Sequence, residues 1–250
     1  MTNKPIKVMP LCVDKLEKRI VPQTPSQVVQ NRLNFGLDRN KKYIIMGFDL
    51  NSYIARKNPY GALECFQKAF PFKNKENYSE NVGLVVKTYK STKINREWEF
   101  FKYLISTDKR IVVIEENMDK EKLLNLFGCC DVYMSLHRSE GFGRCLAESF
   151  QLGLDVLATD WSGNRDYCEG PLYHPVPYIL NSVKPGDYPY WSNQYWADPD
   201  IDFASKELKN IIKSRANKKV MWDYQKQFSA KNCGLKYISR LKEIGLINEF

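Results

Sequence analysis

From Lys42 onward, short apolar runs alternate with stretches whose apolar positions fall on one helical face. Tyr43–Phe48 (YIIMGF), Val82–Val86 (VGLVV), Arg110–Ile114 (RIVVI), Asp131–Leu136 (DVYMSL) and Val156–Thr159 read as strands. Between them, Pro59 opens a helix carrying Ala62, Leu63, Phe66, Ala69 and Phe70 at i, i+3, i+4 spacing. Arg96–Thr107 reads as the next helix. Asp119 then caps one bearing Leu123, Leu124 and Phe127, with Glu121 favourably placed in its first turn, and Gly143–Leu152 forms another. Leu172–Ile179 reads as a further strand, interrupted by Pro175 and Pro177. This alternation predicts an α/β fold, a parallel sheet with right-handed crossovers and helices on both faces. Ligands of such sheets bind beyond the carboxyl ends of the strands. Those ends are the loops Asp49–Asn58, Lys87–Lys93, Glu115–Met118, His137–Gly143 and Trp161–Asp166.

The flanks follow other patterns. Residues 1–40 read as extended and polar, because Pro5, Pro10, Pro22 and Pro25 discourage long helices, although Ser26 is placed to cap a short one through Leu33. After Asn181 the chain reads as an aromatic loop with Tyr188, Tyr190, Trp191, Tyr195 and Trp196. Three helices are expected to follow, near Asp200–Ser214, Lys219–Phe228 and Gly234–Ile244. There is no internal repeat.

Composition narrows the function classes. A chain of 250 residues fits one large domain, and its 13% aromatic and 27% charged residues exclude a disordered segment. No apolar run approaches the roughly 20 residues that span a bilayer. Met1–Leu11 has no continuous apolar stretch, so no signal peptide is expected. Seven cysteines without a C-x-x-C, and two histidines (His137 and His174) not spaced like ligands, fit a reducing cytoplasm and no metal site. The net charge of +9 suits nucleic acid, an anionic membrane or phosphorylated ligands, and charge alone does not choose among them.

The chemistry concentrates in Ser135–Phe150, SLHRSEGFGRCLAESF. A strand enters a glycine-containing turn, and a helix starts near Gly143. The unpaired amides of a helix N-terminus favour phosphate or sugar oxygens, and Gly141 and Gly143 let the backbone approach a ligand. Glu140 before the turn is placed to touch a ligand at the helix start. Glu148, about a turn and a half into the helix, suits a vicinal diol such as ribose, or a plain solvent-facing position. A dinucleotide fingerprint is not met, because Leu146 stands where the last glycine belongs and Gly47-Phe48-Asp49-Leu50 does not supply one.

EGFGRCLAE, a glutamate, seven residues and a second glutamate, resembles the E-x7-E signature of retaining glycosyltransferases of family 4. Asp49–Pro59 (DLNSYIARKNP), Leu84–Lys87 (LVVK), Cys130–Glu140 (CDVYMSLHRSE), Leu157–Asn164 (LATDWSGN) and Trp196–Asp200 (WADPD) resemble its nucleotide-sugar half, in the same order. The resemblance covers about residues 5–215. It implies a Rossmann-like donor-binding domain over 41–215, one lobe of a GT-B glycosyltransferase, between an extended inter-lobe linker at 1–40 (IKVMPLCV within it) and C-terminal helices at 216–250.

It also implies roles. Glu148 would hold the donor ribose, and Glu140 would lie against the donor sugar near the anomeric carbon. The N–H groups of Phe142, Gly143 and Arg144 would meet sugar or phosphate oxygens. Lys57, helped by Arg56 and Lys87, would bind the diphosphate and stabilise the leaving group. Gly163 and Asn164 complete the substrate-binding set, and the base would sit near Arg110–Ile114. The catalytic set is therefore Glu140, Lys57 and Arg56. The sequence departs from the family at Phe48-Asp49, where an arginine is usual, and at Asn164, where a glycine is common.

The implied reaction transfers a hexose from a nucleoside diphosphate sugar to a glycan or lipid-linked acceptor hydroxyl. It retains the anomeric configuration and uses no metal or cofactor. The setting would be surface polysaccharide or lipopolysaccharide synthesis, in the cytoplasm or at the inner face of the membrane, with no nucleic acid. The acceptor lobe has no counterpart in these residues, which fits one domain of a larger protein, a cut piece of one, or a lone donor lobe that works with a separate acceptor-lobe chain. The alternative is a non-catalytic donor-binding lobe or subunit that needs such a chain.

Other features have two readings. Asp198-Pro199-Asp200 has the D-x-D form of manganese-binding transferases, but the proline and the following Ile201, Ala204 and Leu208 favour a helix cap. His137 suits ligand contact or structural hydrogen bonding, and Arg138 a surface or acceptor-facing position. The Tyr188–Trp196 aromatics favour packing their loop onto the domain, with sugar stacking as the second reading. Lys206, Lys209, Lys213, Arg215, Lys218 and Lys219 make a solvated face or a membrane-surface patch.

Overall fold

The computed structural model describes residues 6–9, 11–13, 23–71, 81–91, 95–214 and 228–247. Six strands form a parallel sheet: β1 (Lys42–Phe48), β2 (Val82–Thr88), β3 (Ile111–Glu115), β4 (Val132–Ser135), β5 (Asp155–Thr159) and β6 (Tyr173–Val176). Their order is β3-β2-β1-β4-β5-β6. Ile45 of β1 pairs with Val85 on one side and Tyr133 on the other. The chain fills one half of the sheet and then restarts beside β1, so the crossovers diverge between β1 and β4.

Because successive strand residues point to opposite faces, the sheet feeds two cores. Ile44, Met46, Leu84, Val86 and Met134 pack with α3 (Pro59–Ala69), α4 (Arg96–Ile105) and α7 (Ile201–Lys213). Ile45, Val85, Tyr133, Val156 and Ala158 pack with α5 (Lys120–Gly128) and α6 (Arg144–Gln151). This is the α/β, Rossmann-like arrangement that the alternating pattern predicts.

The differences have local causes. The segment read as extended contains α1 (Pro25–Asn34), capped by Thr24 and not by Ser26. Thr24 Oγ1 accepts from Gln27 N at 3.3 Å and Gln27 Oε1 accepts from Thr24 N at 2.8 Å, a reciprocal box that Ser26 cannot form. The polar loop after β1 contains one helical turn, α2 (Ile54–Lys57). Asn58, at φ 51, ends it and also caps α3 by accepting from Gly61 N.

Pro177 splits the expected Leu172–Ile179 strand. β7 (Tyr178–Ser182) leaves the sheet and pairs antiparallel with β8 (Tyr195–Pro199), in a segment read as loop. α8 runs over Ala230–Glu243 from a Ser229 cap, earlier than the expected Gly234. The helix expected over Lys219–Phe228 lies outside the described residues except for Phe228, as do Pro5, Pro10, Pro22, Arg215, Lys218 and Lys219. None of the seven cysteines forms a disulfide, and burial pushes Cys65 up to about 12. Among the described residues no helix is long and apolar enough to cross a membrane.

Candidate active site

A cavity of about 480 Å³ opens beyond the carboxyl ends of β1, β2 and β4, against the start of α6. It lies where the crossovers diverge, the position that open parallel sheets leave for a ligand. Arg56, Lys57, Lys87 and Glu140 give it a charged side, and Leu123, Phe127, Tyr133 and Phe142 an apolar one.

α2 delivers the cations. Buried Ile54 anchors it, and Asn58 Nδ2 donates to Leu136 O at 2.9 Å. Arg138 N donates to Arg56 O at 2.8 Å, so α2 is stitched to the loop after β4. Lys57 Nζ ion-pairs with Glu140 Oε2, and Arg56 Nη1 stands 3.7 Å from the same oxygen. Arg56 is itself fixed, donating to Ser139 O at 2.7 Å and Ser52 Oγ at 3.0 Å. Burial alone would raise the Glu140 carboxyl, but the Lys57 and Arg56 charges outweigh it and hold Glu140 below the usual carboxylate range. Glu140 is therefore an anion in a ring of cations.

Lys87 comes from the buried end of β2. Its Nζ donates to Thr88 O at 2.7 Å and Glu116 O at 2.8 Å, and lies 4.6 Å from the centre of the Tyr89 ring. Burial lowers its ammonium below the ordinary lysine value.

The start of α6 is shaped for approach. Gly143 adopts φ +81, where a Cβ would stand 2.6 Å from Leu146 Cδ1. No side chain caps this helix. The Tyr167 hydroxyl reaches the carbonyls of Phe142 (2.7 Å) and Gly143 (2.8 Å), and burial keeps that phenol protonated. The turn is thereby fixed while the helix start faces the cavity, where its partial positive charge favours an anion.

Glu148 does not line the cavity. It sits one turn deeper behind Arg144 and Cys145 and is 1% exposed. Lys120, at the start of α5, ion-pairs with its Oε1, and Arg144 Nε is 3.7 Å from the same atom. Neither carboxylate oxygen accepts a well-formed hydrogen bond. Such a buried acceptor pair is costly unless something else completes it.

No family model and no curated sequence matches the chain. Solved structures do match. HepE of Anabaena, in complex with UDP and glucose, superposes with TM-score 0.60 at 16% identity, covering 89% of this chain and 54% of that one. The UDP-forming trehalose-phosphate synthase of Burkholderia xenovorans gives 0.60 at 10%, covering 90% and 51%. WaaG, a glycosyltransferase involved in lipopolysaccharide biosynthesis, gives 0.57 at 15%, covering 83% and 47%. The chain has the fold of half a GT-B glycosyltransferase. It spans about half the length of the structures it matches.

Within that GT-B half, seven of the expected site residues meet at one cavity: Arg56, Lys57, Lys87, Glu140, Phe142, Gly143 and Arg144. Gly163 and Asn164 stand behind its wall. Gly163 N donates to Glu140 O at 3.0 Å, and a Cβ on Gly163 would lie 1.7 Å from Gly141 O, so only glycine permits this approach. Asn164 is fully buried and donates to Thr159 O at 3.0 Å. Its Oδ1 accepts from His137 Nε2 at 3.1 Å, while His137 Nδ1 meets Ser135 Oγ at 2.9 Å. Burial lowers the His137 imidazole below its ordinary value, so the neutral ring buttresses the Glu140 turn. Of its two readings, structural hydrogen bonding is the one observed.

Arg138 is also structural, donating to Asp198 Oδ1 at 3.0 Å and Ala55 O at 2.8 Å. Asp200 caps α7. Arg110 starts β3 at the amino edge, away from the cavity, and donates to Asp108 and to Phe70 O. Of the stretch expected near the base, Arg110 is therefore turned away from the cavity, whereas Ile114 pairs with Lys87 at the carboxyl end of β3. Sequence reading missed Lys120, whose pairing with Glu148 depends on how α5 packs on α6. It also missed Tyr133, an aromatic in an otherwise ordinary buried strand.

Proposed function

We propose that this chain is the donor-binding half of a retaining, family 4-like glycosyltransferase that moves a hexose from a nucleoside diphosphate sugar to an acceptor hydroxyl. The observation that carries this reading is the pairing of Lys57 and Arg56 with Glu140 at the uncapped start of α6. An arriving diphosphate competes with Glu140 for Lys57 and Arg56. Its oxygens take the cations and the helix amides, and the freed Glu140 carboxylate meets the sugar hydroxyls beside the anomeric carbon. Charge developing on the departing phosphate is then held by fixed donors, which is electrostatic catalysis without a metal.

Glu148 accepts the ribose hydroxyls once Lys120, now paired with its Oε1, gives way to them. The apolar wall of Leu123, Phe127 and Tyr133 suits the flat base. Surface polysaccharide synthesis on a glycan or lipid-linked acceptor, with the acceptor lobe supplied by another segment or chain, is part of the same proposal.

The test is calorimetric titration of the chain with UDP, GDP and ADP, and with the matching nucleosides. Lys57→Ala should weaken the diphosphate by about 1.5–3 kcal/mol, the range for hydrogen bonds to charged groups, and leave the nucleoside nearly unchanged. Equal losses for both would remove Lys57 from the diphosphate.

A further inference from the structure

The β7–β8 hairpin projects beside the cavity and is bolted to its rim at several points. Tyr188 packs edge-on against Tyr53 with ring centroids 5.0 Å apart, immediately after cavity-lining Ser52. Tyr178 packs on Trp161, in the loop that carries Gly163, at 5.1 Å. Ala197 N donates to Arg138 O at 3.0 Å, and the Arg138 guanidinium lies 5.2 Å from the centre of the Trp196 ring.

This fixed element exposes three aromatic side chains. Tyr190 is 88% exposed and Tyr195 64%, with Trp191 partly exposed between them. Tyr190 holds φ 52 and Asn193 φ 59, conformations that cost a non-glycine residue energy and are kept where the surroundings impose them. Carboxylates accompany the rings. Asp187 lies in the same loop, and Glu97 at the start of α4 faces it; burial and then the Asp187 charge hold Glu97 above the usual carboxylate range.

We propose that the Tyr188–Tyr195 loop and its hairpin form a stacking platform for the pyranose rings of a glycan chain at the rim of the cavity. Exposed Tyr and Trp faces pack against the C–H faces of a sugar, and their polar edges remain hydrated. Asp187 and Glu97 accept hydrogen bonds from its hydroxyls. Against Asp187 and Glu97 the loop offers one cation, Lys184, so it lacks the basic excess that an anionic membrane surface attracts. The rim attachment places a bound glycan next to the proposed donor site, so the inference names the acceptor class for that reading.

The test uses the whole chain, with maltohexaose, cellohexaose and mannohexaose as probes, read by saturation-transfer NMR and calorimetry. UDP and phosphatidylglycerol vesicles form separate arms. The wild type should bind at least one hexasaccharide. Tyr190→Ala/Trp191→Ala should weaken it about tenfold or more, as loss of exposed aromatic anchors does, while UDP binding and the unfolding midpoint stay put. Tyr190→Phe should keep binding. No hexasaccharide binding, binding unchanged in the double variant, or binding to vesicles alone would each overturn the platform. Loss of the UDP arm in the wild type would instead count against the donor site, leaving the glycan result to stand by itself.

Discussion

The two edges of the central sheet treat buried charge differently. At the amino edge every charge has fixed partners. Arg110 donates to both Asp108 oxygens, at 2.8 and 2.5 Å, and to Phe70 O at 2.7 Å. Arg32 donates to Asp131 Oδ2 and Cys129 O, both at 2.8 Å, and to Arg39 O at 3.1 Å. At the carboxyl edge Lys87 and Arg56 also have fixed partners, but other groups are left incomplete. Glu148 has two oxygens without a well-formed hydrogen bond, α6 has no side-chain cap, and Glu140 shares one oxygen between two cations. Saturated charges hold the fold, whereas incomplete ones offer bonding capacity to something else. The incomplete groups cluster at the candidate site.

The largest expected effect strikes the saturated edge. Arg110→Ala strands Asp108 and Phe70 O in the interior, and should cost about 3–5 kcal/mol of stability in urea unfolding. Nucleotide affinity of the folded fraction should not change. A loss of affinity with unchanged stability would break the comparison.

Glu148→Gln should do the reverse. It removes a buried anion with spare bonding capacity but also its pairing with Lys120, so the stability loss should stay below the about 3–5 kcal/mol of breaking a saturated buried pair, while affinity for the nucleotide falls by about 1.5–3 kcal/mol. Calorimetry and urea unfolding on one preparation measure both. A stability loss as large as that of Arg110→Ala would make Glu148 a structural residue.

The smallest effect sharpens the saturated class. His174 meets Glu207 Oε1 at 2.8 Å and Asp155 Oδ1 at 3.0 Å. Burial alone lowers its imidazole, but the two carboxylate bonds outweigh it and hold the folded value above the ordinary one. A raised folded value stabilises the protein fully below the unfolded value near ~6.5, and the gain is lost as pH rises through the folded value. The stability gap between wild type and His174→Gln should therefore be widest below about pH 6.5 and close only as pH rises further, through the raised folded value. A gap that widens toward alkaline pH would show that the neutral ring carries the contribution.

Much of this was legible in the sequence, for identifiable reasons. Central strands of a parallel sheet are apolar on both faces, so β1, β2 and β4 announce themselves. Asp119 and Asp200 mark α5 and α7, because cap residues act within three positions of themselves. α2 escaped because a single turn has no periodicity to detect. β8 escaped because its aromatic residues also suit a loop, and Pro177 obscured where β7 parts from the sheet. At the site, Lys57, Glu140 and Gly143 were readable from one stretch and its resemblance. On pattern alone, a solvent-facing helix position was the favoured reading of Glu148. Its burial, and its pairing with Lys120, belong to the packing of α5 against α6, which no local pattern encodes. Gly163 stood out as a loop glycine, but its actual constraint is the Gly141 carbonyl, brought there by the folded chain.

The most direct test of the central claim is thermal unfolding of the chain against UDP-, GDP- and ADP-sugars, with Glu148→Gln alongside. A ligand at about 100 times its dissociation constant adds about 2.7 kcal/mol, which at about 2–4 °C per kcal/mol for a protein of this size is roughly 5–11 °C. The account predicts a shift with one base, abolished or sharply reduced in Glu148→Gln. No shift with any donor, or an equal shift in the variant, would contradict it.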